Sequence, residues 1–266
     1  MRDSPIGVFD SGVGGLTVVK QLIREMPNED IIYFGDTARV PYGTKSPSTI
    51  KKFSIENVLF LLKHNVKLII IACNTSSAIG LPFLSRYFSV PIIGVIKPGA
   101  KTAVRSTRNG RIGVIGTTAT ISSKAYENEI RAFNPKIRVY SKDCPLFVPL
   151  VEEGWADDGI VDVAAGKYLF PLKEKKIDTI ILGCTHYPLL KSAIQKMMGK
   201  AVRLVDSAEE TAKEAKNLLE ECGLKYHGKK AGRLKFYVSD APGKFLMVAK
   251  RFLGKDVKTA EQVKDV

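Results

Sequence analysis

Two cysteines end apolar runs in this sequence, Cys73 in IIIACNTSSA (69–78) and Cys184 in IILGCTHYPLL (180–190). Polar side chains follow each one, Asn74 and Thr75 in the first case, Thr185 and His186 in the second. A free thiol ionises near pH 8.5, low enough for a nearby His, a hydroxyl or a helix N-terminus to keep a useful thiolate fraction at neutral pH. Two such groups can remove a proton from one face of a carbon and deliver one to the other face. That chemistry is racemisation. Asp10, in the turn DSGVGG (10–15), and His186 are the candidate helpers of the two thiols.

Other chemistries fit less well. Cys184 and His186 are zinc-ligand types, but no C-x-x-C or H-x-x-x-H accompanies them, and a dithiol oxidoreductase would also use C-x-x-C. No metal is therefore expected. No PLP or flavin signature is present, and DSGVGG lacks the G-x-G-x-x-G spacing because position 17 is Thr, so no cofactor is expected either. The turn reads better as a strand-to-helix connection whose N–H groups and Ser11 hydroxyl hold an anion. Asp10 then points into a crevice as a base, thiol partner or ammonium ligand, a simple helix N-cap being the alternative. The backbone N–H groups of Tyr42 and Gly43, in PYG (41–43), could bind a carboxylate.

The elements that must position these residues are short apolar runs separated by helical patterns: IGVFD at 6, DIIYFGD at 30, KLIIIAC at 67, PIIGVI at 91, RIGVIG at 111, DTIILGC at 178 and VRLVD at 202. This alternation predicts an α/β fold with doubly wound, mainly parallel sheets. Helices are expected over 49–65 and 207–223. In the latter Ala212, Ala215, Leu218, Leu219 and Cys222 share a face, with Gly223 as C-terminal cap, so Cys222 is expected in the core. The pattern also repeats: IGV begins at Ile6 and at Ile112, 106 positions on, and the two strand-end cysteines are 111 positions apart. Two similar lobes follow, and because ligands bind beyond the carboxyl ends of such strands, the thiols can face each other across a cleft.

Composition fits a globular protein: 266 residues, 45% hydrophobic and 26% charged. No apolar run is long enough to span a bilayer, and the N-terminus lacks a secretory h-region, so a cytoplasmic location is expected. Four scattered cysteines suggest reduced thiols rather than a disulfide framework. The 41 Lys and Arg against 27 Asp and Glu give a net charge of +14, spread along the chain. This reads as a solvated surface suited to a small anion, with a nucleic-acid or protein partner as a secondary alternative.

The motifs DSGVGG, PYG, ACNT (72–75), CPLFVPLVEEG (144–154) and GCTHYPLL (183–190), in this order, resemble the cofactor-independent aspartate/glutamate racemases, and among them those acting on glutamate. The resemblance spans nearly the whole chain, with residues after about 223 least informative. It implies isomerisation of L- to D-glutamate for bacterial peptidoglycan synthesis, with aspartate the alternative substrate. Cys73 would act on D-glutamate, assisted by Asp10, and Cys184 on L-glutamate, assisted by His186 and Glu152. Only the resemblance selects Glu152 from the EEG sequence. Asp10, Ser11, Tyr42, Gly43, Asn74, Thr75, Thr118, Thr185 and His186 would hold the substrate, and Cys144 is expected to pack. The resemblance also implies a homodimer and a first lobe of residues 1–97 plus 207–266 around a second of 98–206.

Overall fold

Each apolar run named above forms a strand in the computed structural model, which describes residues 2–264. Met1, Asp265 and Val266, the outermost residues of the expected first lobe, lie outside the described residues. The strands are β1 (Ile6–Asp10), β2 (Ile31–Gly35), β3 (Leu68–Ile71), β4 (Ile92–Gly94), β5 (Arg111–Gly116), β6 (Arg138–Asp143), β7 (Thr179–Gly183), β8 (Arg203–Asp206), β9 (Leu234–Val238) and β10 (Glu261–Gln262). They build two sheets, in the orders β10-β9-β2-β1-β3-β4 and β6-β5-β7-β8, and every pairing is parallel.

The segments β2-β1-β3-β4 and β6-β5-β7-β8 are the same arrangement. Ile6 lies opposite Ile31 and Leu68, as Ile112 lies opposite Val139 and Thr179. The two IGV strands are thus equivalent, and so are β3 and β7, which lead into Cys73 and Cys184. In each sheet the chain goes from its first strand to one neighbour and then crosses to the other side, so a topological switch point falls between β1 and β3 and between β5 and β7. Both cysteines stand at these points.

Parallel strands covered on both faces need apolar residues on both, and the pleat sends alternate side chains to opposite sides. On β1, Ile6 and Val8 face a core shared with Leu16 and Leu22, while Phe9 packs with Phe34, Val58, Leu61 and Ile71. On the second sheet Ile115, Ile180 and Leu182 belong to that same first core, and Ile112, Val114 and Ile181 pack with Ala100 and Ile130. One apolar cluster therefore joins the two lobes. Among the described residues no helix is long and apolar enough to cross a membrane.

The C-terminal segment returns to the first sheet, where β9 pairs with β2 and Ile31 lies opposite Leu234. Neither this strand nor β6 nor β10 was distinguished in the sequence. A correction concerns Cys222, which is exposed rather than in the core. The helix Ser207–Glu221 buries Ala208, Ala212, Ala215 and Leu219, with Leu218 half-buried, and then stops. Gly223, at φ +65°, closes it with an N–H donated to Glu220 O at 3.0 Å, and the Leu224 N–H reaches Leu219 O at 2.8 Å. This closure brings Leu224, not Cys222, against the core. In urea denaturation Leu219→Ala should cost about 2–5 kcal/mol, whereas Cys222→Ala should stay within about 0.5 kcal/mol of the parent. A comparable loss from both would contradict the exposed placement of Cys222.

Candidate active site

The carboxyl edges of the two sheets meet at a narrow cavity. Ser11, Tyr42, Gly43, Cys73, Asn74 and Thr75 line it from the first lobe, and Thr117, Cys184, Thr185 and His186 from the second. Its volume is about 20 Å³, room for roughly one water. The lobes approach so closely that a Cβ on Gly14 would lie 2.3 Å from Thr185 Oγ1 and 2.8 Å from the His186 ring, so position 14 has space only for glycine. Hydroxyl contacts bridge the gap, Thr75 to Thr117 at 2.9 Å and to Thr120 at 3.1 Å.

Each thiol has a different neighbourhood. Cys73 caps the short helix Asn74–Ile79 and is buried. Loss of water pushes its thiol up to about 12, with the adjacent Asp10 carboxylate adding to the effect and donors from Ser76 and Ser11 opposing it. Asp10 ends β1 behind the cavity wall, with no exposure. Its Oδ2 accepts the Gly12 N–H at 3.0 Å, and its Oδ1 accepts the Thr185 hydroxyl at 3.5 Å. Burial raises its pKa, partly offset by His186 and by the N–H groups of the turn. Asp10 is not a helix cap, since Gly15 occupies that position and makes no side-chain cap bond.

Beside Cys184 stands a charged relay. Cys184 Sγ lies 3.8 Å from His186 Nδ1, and His186 Nε2 lies 3.1 Å from Glu152 Oε1. Burial alone would lower the His186 pKa, but its bonds to Cys184 and Glu152 outweigh that and raise it to about 10. An imidazolium donates through both ring nitrogens, one to the sulfur and one to the carboxylate. Glu152 pays a burial cost, yet the His186 contact and the charge of Lys244 hold its carboxyl below the usual range. Glu152 itself lies behind His186, outside the cavity wall. Phe252, from the C-terminal helix Pro242–Leu253, sets its ring edge-on against His186 at 5.4 Å.

Tyr42 turns its phenol away from the cavity. The hydroxyl donates to the buried Asp36 and accepts from Asn57 Nδ2 at 3.1 Å, which anchors the 3₁₀ turn Tyr42–Thr44 and leaves its backbone at the cavity wall. The N–H groups opening such a turn have no partner within it and can meet a carboxylate.

The structure corrects the placement of Thr118. Its hydroxyl donates to Asp143 Oδ2 at 3.1 Å on the exposed side, and the residue borders an outer hollow with Lys45 and Lys51. Thr117 faces the cavity instead, because it is the residue at the strand end and N-cap, accepting the Thr120 N–H at 3.3 Å. The internal repeat carries the signal that finds it, since 106 positions after Ser11 comes Thr117. Pro41, from the PYG turn, Val148, from the CPLFVPLVEEG motif, and Val40 also line the cavity; Val40 had no signal of its own, nor had Phe252. Cys144 is fully buried, with the Tyr187 hydroxyl donating to its carbonyl at 2.9 Å, and does not reach the cavity. Among the described residues no group of three or more His, Cys, Asp and Glu is arranged to hold a metal.

Comparison with known proteins agrees with this architecture. A glutamate racemase of Geobacter metallireducens is 51% identical over 97% of this chain and 96% of its own length. The crystal structure of a glutamate racemase isoform from Bacillus anthracis superposes with a TM-score of 0.96 at 40% identity, covering 99% of this chain and 98% of the other. A glutamate racemase from Francisella tularensis, solved in complex with D-glutamate, gives a TM-score of 0.93 at 45% identity, covering 99% and 98%. Residues 6–215 match the Asp/Glu/Hydantoin racemase family. With that match and these relatives over nearly its whole length, the chain belongs to the Asp/Glu/Hydantoin racemase family.

Proposed function

We propose that this chain interconverts L- and D-glutamate by two-thiol proton transfer, without a cofactor, and supplies D-glutamate for peptidoglycan synthesis in the cytoplasm. The observation that carries the reading is that cysteines from equivalent strands of two equivalent sheets line one small cavity. Glutamate, rather than aspartate, is favoured by the D-glutamate complex of the Francisella relative. The lobes divide at 97/98 and 206/207, and the protein works as a homodimer.

A cavity of about 20 Å³ cannot admit an amino acid as it stands, so the lobes open to take substrate and close on it, which excludes water from the reacting carbon. The imidazolium of His186, 3.8 Å from Cys184 Sγ, is the counter-charge for a thiolate there. That thiolate removes the α-proton of L-glutamate. Cys73, kept protonated by burial and by Asp10, donates its proton to the opposite face and yields D-glutamate. The pair then stands as Cys184 thiol and Cys73 thiolate, ready for the reverse reaction, with Asp10 the group that exchanges protons with Cys73. Backbone donors of the Tyr42–Gly43 turn and the side chains of Ser11, Asn74, Thr75 and Thr185 hold the carboxylates and ammonium, and stabilise the charge that develops.

The test is incubation of the purified chain with L-glutamate alone while optical rotation is followed. Rotation should decay to zero, and it should not do so for aspartate. Cys73→Ala and Cys184→Ala should each abolish turnover in both directions; near-normal racemisation by either would rule out the two-thiol scheme. Asp10→Asn and His186→Asn should retain activity reduced by about 10²- to 10⁴-fold.

The raised His186 pKa has a consequence for stability. A histidine that titrates near 6.5 when unfolded and about 10 when folded binds its proton more tightly in the native state. Its contribution is complete below pH 6.5 and is lost as pH rises towards 10. Over that window the parent should lose more stability than His186→Asn, measured by urea midpoints at matched pH. Parallel pH profiles would mean that His186 is not held as the cation.

A further inference from the structure

Asn74 follows Cys73 directly and lines the cavity, yet the group that fixes its side chain comes from the other lobe. Tyr126, in the helix Ala125–Phe133, is 2% exposed, and its hydroxyl donates to Asn74 Oδ1 at 2.7 Å. With its carbonyl oxygen engaged, the amide turns its two N–H donors the other way. A phenol oxygen buried at this depth is costly without a partner, so the bond does more than fill space.

The surroundings of Tyr126 hold it still. Its ring lies beside Gly99 and Gly183, and its oxygen beside Ser207. Gly99 and Ser207 belong to the helices through which the chain passes between the two sheets, and Gly183 precedes Cys184. One side chain therefore touches both passages and the immediate neighbours of both thiols. Another cross-lobe polar contact, among Thr75, Thr117 and Thr120, uses hydroxyls that can each donate or accept. The Tyr126–Asn74 bond runs one way, from the phenol to the amide oxygen.

We propose that Tyr126 is a positioning residue for the reaction: from the second lobe it fixes the Asn74 amide so that its N–H donors, not its carbonyl, face a substrate carboxylate. This rests on the glutamate reading of the cavity. Without the phenol oxygen the amide is free to flip and to present an acceptor to an anion.

Tyr126→Phe removes that oxygen and keeps the ring. KM for both enantiomers should rise roughly 2- to 12-fold, the range set by one net hydrogen bond, with kcat little changed. The glutamate concentration that half-protects the thiols from iodoacetamide should rise by the same factor. That second readout also serves slow variants, so it completes a double-mutant cycle: in an Asn74→Ala background, Tyr126→Phe should add nothing. Two results would overturn the proposal: KM and half-protection unchanged while only the thermal midpoint falls, or the same loss with and without the Asn74 amide. Failure of the substrate reading looks different, since the unmutated chain would then neither racemise glutamate nor be protected by it.

Discussion

Two thiols can serve opposite faces of one carbon only when the carboxyl edges of two sheets are held face to face, about one small molecule apart. Much of the sequence answers to that requirement. The loop after β1 must run so near the second lobe that only glycine fits at position 14, against Thr185 and His186. The threonines at 75, 117 and 120 meet across the gap, and Asp10 reaches Thr185. Behind them a single apolar cluster, from Ile6 and Leu16 through Ile115 to Phe147 and Leu169, ties the sheets together. The cost of burying polar groups at such an edge is offset because nearly every one has a partner.

The lobes repeat in backbone but not in charge. Where the first sheet ends β1 with Asp10, the second ends β5 with Gly116. An anion stands beside Cys73 and a cation beside Cys184: Asp10 and burial favour the Cys73 thiol, whereas His186, held towards its cation, lies 3.8 Å from Cys184 Sγ. A racemase needs one proton acceptor and one proton donor at the start of each turnover. The doubled fold supplies the geometry, and the helpers on its two sides are of opposite charge. The C-terminal helix contributes to the second half of this scheme from the first lobe, through Phe252 on His186 and Lys244 near Glu152.

How far the sequence could be read depended on what each residue meets. Strands buried on both faces, such as IGVFD and LIII, show as unbroken apolar runs and were legible. β6, with RVYSKD, is a partly exposed edge strand, and β9, with LKFYV, is buried only at Tyr237 and Val238, so neither rises above its surroundings. The strand-end cysteines were visible because a thiol after a buried strand is unusual twice over. The resemblance implies Thr118, whereas Thr117 lines the cavity; adjacent threonines differ only in which side of a helix N-terminus they occupy, something the turn decides and composition does not. Cys222 lay in register with a buried stripe, but the helix ended one residue before it. Tyr126 and Phe252 carried no local signal at all, since their importance comes from contacts with residues 52 positions away, in the case of Tyr126 and Asn74, or on another lobe.

The central claim is that the proton removed and the proton delivered belong to different thiols. Initial-rate racemisation in heavy water, started separately from L- and from D-glutamate and read by mass spectrometry of the resolved enantiomers, tests it directly. With two thiols at work, newly formed product carries one α-deuterium in both directions while unreacted substrate keeps its protium. Product that retains the substrate's own protium would mean that a single group removes and returns the same proton, and would rule out proton transfer by two thiols.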